Sequence, residues 1–194
     1  MTTAFEALTL SGSNEWYTPP EIIDMARLVM GGIELDPASN AHAQTWIKAD
    51  RYFTEQDNGL AQAWQAKTIW LNPPYGNLGA RFCTKLLADW KAGHFEQAIA
   101  LVRGDSAAME ALFDHAYHCR SKRIRFVPSP ELLAAKQAEA MVKGLKWTNS
   151  PVPGSTIFYL GERSDWFASV FGVQGKVFPP ALTLSGLPKR EMAA

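Results

Sequence analysis

The chain has 194 residues, with 19 basic and 19 acidic side chains and therefore no formal net charge at pH 7. Apolar residues make up 47% of the sequence and charged residues 20%, which is typical of a folded domain and excludes a disordered chain. The length suits one domain that contains a buried sheet and helices on both of its faces.

The first predicted element is a helix near the N-terminus. Thr18 and Glu21 have the spacing of a capping box, and Pro19 stands at the expected first helical position. We expect the helix to run to about Met30 and to end at Gly31-Gly32.

A short apolar segment, Ile33–Leu35, is predicted to form a buried strand that ends on the carboxylate of Asp36. The small residues Pro37–Ser39 make a tight turn directly after it. A carboxylate beside such a turn is a suitable site for a cationic small molecule. Farther along, the polar stretch Arg51–Leu60 is by itself typical of a loop ahead of a helix.

The most informative motif is Asn72-Pro73-Pro74-Tyr75, which follows the apolar strand Thr68–Leu71. The side-chain oxygen of Asn72 and the carbonyl oxygen of Pro73 are two acceptors for the hydrogens of an NH2 group, and they favour a pyramidal nitrogen that can attack. The two prolines stiffen the loop and remove two N–H groups. Tyr75 adds a flat surface for stacking a planar base. The alternative is a simple turn after a strand.

The remainder of the chain is predicted to alternate between helices and strands. Helices are expected over Leu78–Ala92, over Met109–Tyr117 and from Ser164, and strands over Ala98–Val102, Arg123–Val127 and Thr156–Leu160. The alternation favours an α/β fold with a mainly parallel sheet and helices on both faces. One of the last strands is expected to pair antiparallel at the sheet edge. We expect flexible tails at 1–13 and 181–194 around a domain of residues 14–180.

Residues 128–154 form a segment that this sheet does not need. Prolines bracket a helical piece, Glu131–Gly144, and the segment also carries Lys143, Lys146 and Trp147. The segment is interpreted either as a lid or target-contact insertion or as a piece that packs over the sheet edge.

Basic residues are concentrated from Arg120 to Lys146, where seven lysines and arginines stand against two glutamates. That asymmetry favours a polyanionic partner, although a solvated helix face is the alternative. The candidate nucleic-acid contacts are Arg103, Arg123, Arg125, Lys143 and Lys146. Arg103 directly follows a predicted strand, where it is suited either to contact a phosphate or a base or to pair with Asp105.

No metal site, disulfide framework or membrane segment is expected. Cys83 and Cys119 form no Cys-x-x-Cys pair, which favours a reducing compartment. His115 and His118 lack a further ligand pair and are interpreted as ordinary histidines. No apolar run approaches the ~20 residues that span a membrane, and the first residues lack the pattern of a signal sequence. We therefore expect a cytoplasmic protein.

Several of these segments together resemble a known family, the phage-type DNA N6-adenine methyltransferases, or Dam family, which use S-adenosylmethionine. The similarity covers a Trp-x-Thr-Pro entry at Trp16–Pro19, the turn at Asp36, the Arg51–Leu60 segment and an Asn-Pro-Pro-Tyr-Gly loop. It extends from residue 14 to about residue 160. It implies a Rossmann-like methyltransferase fold and methyl transfer to N6 of adenine in DNA, in the cytoplasm of a bacterial host if the protein is phage-encoded. The chain departs from many cofactor-binding sheets in lacking a Gly-x-Gly loop.

The resemblance implies roles for individual residues. The implied catalytic residues are Asn72, Pro73, Pro74 and Tyr75. The implied cofactor-binding residues are Trp16, Tyr17, Thr18, Pro19, Asp36, Pro37, Ala38, Ser39, Asp57, Gly59, Leu60 and Asn72. Asp36 would meet the methionine ammonium, Asp57 would accept a hydrogen bond from the cofactor adenine, and Gly59 and Leu60 would approach its ring. The ribose-binding acid is open between Asp50 and Glu34.

Two other classes of activity fit the same motif. One is methylation of an RNA base or of a protein glutamine amide, which present a similar planar amino group. The other is a non-catalytic module that binds single-stranded nucleic acid by stacking on Trp16, Tyr75 and Trp147. The basic stretch favours nucleic acid, and the resemblance favours adenine in DNA. No helix-turn-helix or zinc-finger pattern indicates a recognised DNA sequence.

Overall fold

The computed structural model describes residues 16–103, 107–147, 149 and 154–180. The tails expected at 1–13 and 181–194 lie outside the described residues, and so does Asp105, the partner considered for Arg103.

Within this part of the chain, six α-helices, one short 3₁₀ helix (Gly59–Ala61) and nine strands are present. The helices are α1 (Pro20–Met30), α2 (Gln44–Ile47), α3 (Asn77–Lys91), α4 (Ala107–Phe113), α5 (Pro130–Val142) and α6 (Ser164–Phe171). The strands are β1 (Trp16–Tyr17), β2 (Leu35–Asp36), β3 (Arg51–Tyr52), β4 (Thr68–Leu71), β5 (Gln97–Arg103), β6 (Tyr117–Ser121), β7 (Val127–Pro128), β8 (Ser155–Leu160) and β9 (Gly175–Phe178).

Seven of these strands form one sheet, in the order β3-β2-β4-β5-β8-β6-β9. Strands β2, β3, β4 and β5 run parallel to one another. Strand β8 is antiparallel to both β5 and β6, and β9 is antiparallel to β6. An α/β fold with a largely parallel sheet is therefore confirmed. The antiparallel strand at the edge is β9, and a second antiparallel strand, β8, lies inside the sheet.

Side chains on the central strands alternate between two faces, and each face is covered by a different pair of helices. Trp70 and Ile99 belong to the core cluster that contains residues of α1 and α6. Their neighbours Ile69 and Ala98 belong to the cluster that contains residues of α3 and α4. Burying each large apolar side chain stabilises the fold by about 1.5–3 kcal/mol. The helices thus cover both faces, and the ends of the strands are where loops come together.

Several predicted elements are found within a residue or two of their expected bounds. The helix expected over 78–92 is α3, the strand expected over 98–102 is β5, and the strand expected over 156–160 is β8. The short helix expected from Ser164 is α6, although Arg163 and not Ser164 is its N-cap. These elements carry strong apolar periodicity, which is the feature that sequence patterns report best.

The start of α1 differs from the prediction, because Thr18 does not cap the helix. Pro19 is the N-cap, its carbonyl oxygen accepts a hydrogen bond of 3.1 Å from the Ile22 amide, and Pro20 occupies the first helical position. The side chain of Thr18 is instead buried, and its hydroxyl has no hydrogen-bond partner among the described residues. The second proline, which lacks an N–H, is better placed than the first to open the helix.

The strand predicted over Arg123–Val127 is wrong for four of its five residues, since only Val127 lies in a strand, as the first residue of β7. The sheet strand is β6, which begins where the predicted helix Met109–Tyr117 was expected to end, because α4 stops at Phe113. Strand β6 contains the buried residues His118 and Cys119, and this pair of residue types does not predict a buried strand.

The alternation that suggested a strand over 123–127 has another origin. Ile124 and Phe126 are buried while Arg123 and Arg125 are exposed, in an extended segment outside the seven-stranded sheet. Alternation of apolar and polar residues with a period of two therefore indicates that one side of an extended chain is buried. It does not show that the chain belongs to the main sheet.

The connection between β6 and β8 holds the segment predicted as an insertion. Among its described residues from 128 onward, none belongs to the seven-stranded sheet. Strand β7 instead pairs with β1 in a separate two-stranded sheet, with Trp16 opposite Pro128 and Tyr17 opposite Val127. This pairing fastens the connection to the start of the described chain.

Candidate active site

A cavity of about 630 Å³ opens at the carboxyl ends of the parallel strands β2, β3 and β4. It lies where the strand order reverses. Strand β3, which follows β2 in the chain, lies on one side of β2, and the next strand, β4, lies on the other side of β2. Open sheets place ligands at such points because the loops diverge there. The size is in the range of cofactor and drug-sized sites. The lining residues are Trp16, Tyr17, Thr18, Asp36, Pro37, Ala38, Ser39, Asn40, Ala43, Ile47, Thr54, Glu55, Asn58, Gly59, Leu60, Asn72, Pro73, Pro74, Tyr75, Leu78 and Phe82.

Asp36 is a carboxylate buried in the wall of this cavity, with only 1% of the residue exposed. Its Oδ1 accepts a hydrogen bond from the Ala38 amide at 3.3 Å, and its Oδ2 accepts one from Nε2 of Gln44 at 2.9 Å. The Ser39 hydroxyl is a further hydrogen-bond donor to it. No Lys, Arg or His among the described residues lines the cavity. The carboxylate therefore has donors around it and lacks a protein cation.

Burial raises the pKa of Asp36 from 3.8 to about 7, even though the hydrogen bonds from Ser39, Ala38 and Gln44 act in the opposite direction. Burying a charge without a partner of opposite sign costs free energy, which the protein lowers by holding a proton. A ligand with a positive group at this place would remove the cost. The environment of Asp36 thus fits a cationic group of a ligand.

The tetrad Asn72–Tyr75 forms another part of the cavity wall, between the end of β4 and the start of α3. Asn72 is half-buried and Pro73 is buried, whereas Tyr75 is 52% exposed. A Cβ atom on Gly79 would lie 2.2 Å from the Pro74 carbonyl oxygen, so the first turn of α3 packs directly beneath the loop. The acceptors are held against a helix, and the aromatic ring lies at the open rim.

The segment ahead of α1 forms a third wall. Trp16, Tyr17 and Thr18 line the cavity, whereas Pro19 does not. The indole Nε1 of Trp46 donates to the Thr18 carbonyl oxygen at 3.0 Å, and so α2 holds this segment in place. The Thr18 hydroxyl, which lacks a partner among the described residues, is a polar atom left in the wall.

The loop after β3 closes the cavity between Thr54 and Leu60. Asp57 is outside the lining: its Oδ2 accepts hydrogen bonds from the amide and the hydroxyl of Thr54, at 2.8 and 2.7 Å. Those bonds lower the pKa of its exposed carboxyl. A Cβ atom on Gly59 would lie 2.0 Å from the Pro37 carbonyl oxygen, which brings this loop against the Asp36 turn. The direct adenine contact expected for Asp57 stays a prediction.

The acids considered for the ribose do not line the cavity. Asp50 is exposed, and Oε2 of Glu34 accepts a hydrogen bond from the Lys67 amide at 2.7 Å. The carboxylate that does line the cavity besides Asp36 is Glu55, which sequence patterns did not single out. The signal in the sequence that could have indicated Glu55 as a site residue is its position inside the Arg51–Leu60 segment.

Comparison with families of known proteins assigns the chain to a family. The family model described as DNA N-6-adenine-methyltransferase (Dam) matches residues 8–145, which is more than half of the chain. The chain belongs to this family. It is accordingly an enzyme that methylates adenine in DNA, and the resemblance noted in the sequence is confirmed. Neither the curated proteins nor the solved structures contain a match to the chain.

Six of the seventeen lysines and arginines among the described residues lie on the connection between β6 and β8. Arg123, Arg125, Lys143 and Lys146 are all exposed. Lys143 forms an ion pair of 2.7 Å with Glu139, and the Arg125 guanidinium donates to the Asn149 carbonyl oxygen. Arg125 is two residues before Val127, which pairs with Tyr17 of the cavity wall. A positive surface therefore begins within a few residues of the site.

Arg103 is the last residue of β5, three residues beyond Ala100, which is paired with Leu71. Its backbone therefore extends past the end of β4, at the same end of the sheet as Asn72, which directly follows β4.

Among the described residues, no group of three or more His, Cys, Asp and Glu side chains lies where it could hold a metal ion. In the same part of the chain, no helix has both the length and the apolar character needed to cross a membrane.

The burial of Asp36 predicts an unusual effect of Asp36→Asn on stability. Between pH 3.8 and about 7 the unfolded chain releases this proton while the folded protein keeps it, so the wild-type protein loses stability as pH rises through that window. The asparagine does not titrate. We expect the free energy of unfolding of the variant, relative to wild type, to increase with pH by up to about 4 kcal/mol. Urea unfolding without cofactor at several pH values measures this difference.

Asp57→Asn is the matched control for this experiment. Hydrogen bonds from Thr54 lower the pKa of its exposed carboxylate, so the stability that it contributes is lost only as pH falls through the acid range. Its difference from wild type should stay flat from pH 5 to pH 8. A pH-independent difference for Asp36→Asn would contradict the assignment of a raised pKa to Asp36.

Proposed function

We propose that this enzyme transfers a methyl group from S-adenosylmethionine to the N6 amino group of adenine in DNA. The observation that carries the proposal is that one cavity is lined both by the buried carboxylate of Asp36 and by the acceptor loop Asn72–Tyr75. The first requires a cationic ligand, and the second is suited to an amino group. Methyl transfer from a cationic cofactor to an amino nitrogen uses both.

The cofactor is supported by the chemistry of the walls. Asp36, Ser39 and the hydroxyl of Thr18 provide polar groups for the methionine end, and Asp36 and Thr18 are both buried. Leu60 and Phe82 provide apolar surface for the adenine ring. Glu55 is the lining carboxylate that we assign to the ribose hydroxyls. When bound, S-adenosylmethionine supplies an activated methyl group on a sulfonium.

The chain's own residues then align the acceptor. The exocyclic nitrogen of adenine is a poor nucleophile because its lone pair is delocalised into the ring. The side-chain oxygen of Asn72 and the carbonyl oxygen of Pro73 accept its two hydrogens and draw the lone pair out of the ring plane. Holding this nitrogen in line with the methyl group replaces a random encounter by a fixed approach. The transfer is direct, and the proton leaves to water as the new bond forms.

The target base must leave the DNA stack to reach this loop, which costs a few kcal/mol. Tyr75 and Leu78 lie at the rim of the cavity and are 52% and 44% exposed. An aromatic face at the rim stabilises an extruded base by about 1–3 kcal/mol, which offsets part of the cost. The exposed basic residues near the cavity wall provide contacts to phosphates. A Rossmann-like methyltransferase fold is supported by the position of the cavity at the reversal of strand order.

Substitution of Asn72 tests the acceptor role. Asn72→Ala removes one of the two oxygens, and we expect the rate of methyl transfer to fall on the order of 10²–10³-fold, as when an enzyme loses one group that stabilises the transition state. Asn72→Asp keeps an acceptor oxygen and should retain far more activity. Asn77→Ala, in the first turn of α3 and outside the lining, is the control that should match wild type.

The measurement is transfer of labelled methyl groups from S-adenosylmethionine to DNA, followed by digestion and identification of the modified nucleoside. N6-methyladenine is the expected product. Equal activity in Asn72→Ala and wild type would contradict the catalytic role. Methylation of RNA or protein, but not of DNA, would contradict the substrate, and tight DNA binding without transfer would indicate a binding module.

The basic segment before β7 is tested by the salt dependence of DNA binding. Arg123→Gln and Arg125→Gln should each weaken binding to a duplex and lower the slope of log affinity against log salt by about 0.9 per lost phosphate contact. Lys91→Gln is the control, because Lys91 lies at the end of α3 opposite the tetrad. Fluorescence anisotropy between 50 and 200 mM salt, a range that resolves such slopes, measures the effect. Unchanged slopes in both arginine variants would place the DNA elsewhere.

A further inference from the structure

The side chain of Gln44 connects three parts of the protein behind the cavity. Its Nε2 donates to Oδ2 of Asp36 at 2.9 Å and to Oγ of Ser39 at 2.8 Å. Its Oε1 accepts a hydrogen bond from the amide of Ala49 at 2.9 Å. Gln44 does not line the cavity, so it reaches the ligand side only through Asp36 and Ser39.

These contacts fix the orientation of the Gln44 amide. The Ala49 backbone amide can only donate, so the atom that faces it must be the oxygen. The NH2 group must then face Asp36, and both of its hydrogens are used, one by Asp36 and one by Ser39. A reversed amide would set an oxygen against the carboxylate and an NH2 against an N–H. The network therefore has one arrangement, and that arrangement presents a donor to Asp36.

We infer that Gln44 is a positioning residue for the cofactor: it orients the Asp36 carboxyl group and favours its ionised form, so that Asp36 receives the cationic group of S-adenosylmethionine. The inference rests on the proposed function, because it assigns the ligand of Asp36. A donor that cannot reverse compensates part of the cost of burying a carboxylate, and it does so before any ligand arrives. Helix α2, only four residues long, thereby acquires a role in binding.

Other ionisable groups near Asp36 do not take over this role. The ionisable side chains that share the cavity wall with it are Tyr17 on β1, Glu55 in the loop after β3 and Tyr75 in the tetrad, and none of them is cationic. His42, whose ring centroid is 5.0 Å from that of Tyr17, is exposed and faces that ring. Removal of Gln44 therefore leaves Asp36 with the Ala38 amide and the Ser39 hydroxyl alone.

The test compares binding of S-adenosylmethionine by wild type, Gln44→Met and Ser39→Ala, using calorimetry on the full chain from pH 5.5 to pH 7.5. Methionine has a similar length and no donor, and we expect it to weaken binding on the order of tenfold near neutral pH. Ser39→Ala removes another hydrogen-bond donor to Asp36, one that also lines the cavity, so we expect a loss of affinity at least as large. It also provides a second measurement if Gln44→Met folds poorly. Gln174→Leu, near β9 and far from the site along the sheet, is the control.

The pH profile separates positioning from mere support of the fold. Because the hydrogen bond from Gln44 lowers the pKa of Asp36, its loss raises that pKa further. Binding of a cation weakens as Asp36 takes up a proton, so the pH below which affinity falls should move upward in Gln44→Met. In kinetics, the KM for S-adenosylmethionine should rise, while the KM for DNA and the kcat at saturating cofactor stay close to wild type.

The outcomes distinguish the two levels of the proposal. If wild type does not bind S-adenosylmethionine, the proposed function fails and the role of Gln44 fails with it. If wild type binds but Gln44→Met binds equally well with the same pH profile, only the role of Gln44 is overturned. A loss of affinity without any movement of the pH profile also overturns it, because the change would then reflect the fold of α2 alone.

Discussion

The site depends on one physical constraint, a carboxylate held out of water without a protein cation beside it. Asp36 is buried at the end of a central strand, and its donors, the Ala38 amide, Ser39 and Gln44, are neutral. Neutral donors lower the cost of the charge but do not cancel it, as the raised pKa records. The ionised carboxylate thus lowers the stability of the protein, and either uptake of a proton or a ligand that carries a positive charge restores it. A site that is strained in this way favours a cationic ligand over a neutral one of the same shape.

The loops around this carboxylate are brought together by the sheet and then held by close backbone contacts. Parallel strands β2 and β4 end at one edge, so the Asp36 turn and the tetrad face the same space. Two glycines lie where backbone segments touch, Gly59 against Pro37 and Gly79 against Pro74, because a side chain would not fit at either position. These contacts hold the Asp36 turn against the loop after β3, and the tetrad against the first turn of α3. Alignment of a methyl donor and an amino group requires loops that are held in this way.

The sequence predicted the parts of this arrangement that have a local cause. Long elements with apolar periodicity, such as α3 and β5, and the motif residues Asp36 and Asn72–Tyr75 were found because their patterns are strong. Helix α2 was missed because four residues are too few for periodicity, and Gln44 was missed with it. The strand predicted over 123–127 was wrong because Ile124 and Phe126 are buried by tertiary packing outside the main sheet. Partners that meet only after folding leave no local signal.

The pairing of β1 with β7 attaches an exposed basic segment to the wall of the cavity. Tyr17 lines the cavity, and it is paired with Val127, which directly follows the segment that contains the exposed Arg123 and Arg125. Val127 is separated from Arg125 by one residue, so their backbone positions lie within about 7 Å of each other. Because the net charge of the chain is zero, a polyanion is attracted by a local excess of positive charge and not by the sum. Arg123 and Arg125 supply such an excess on a connection that is attached to the wall of the cavity in which Tyr75 lies.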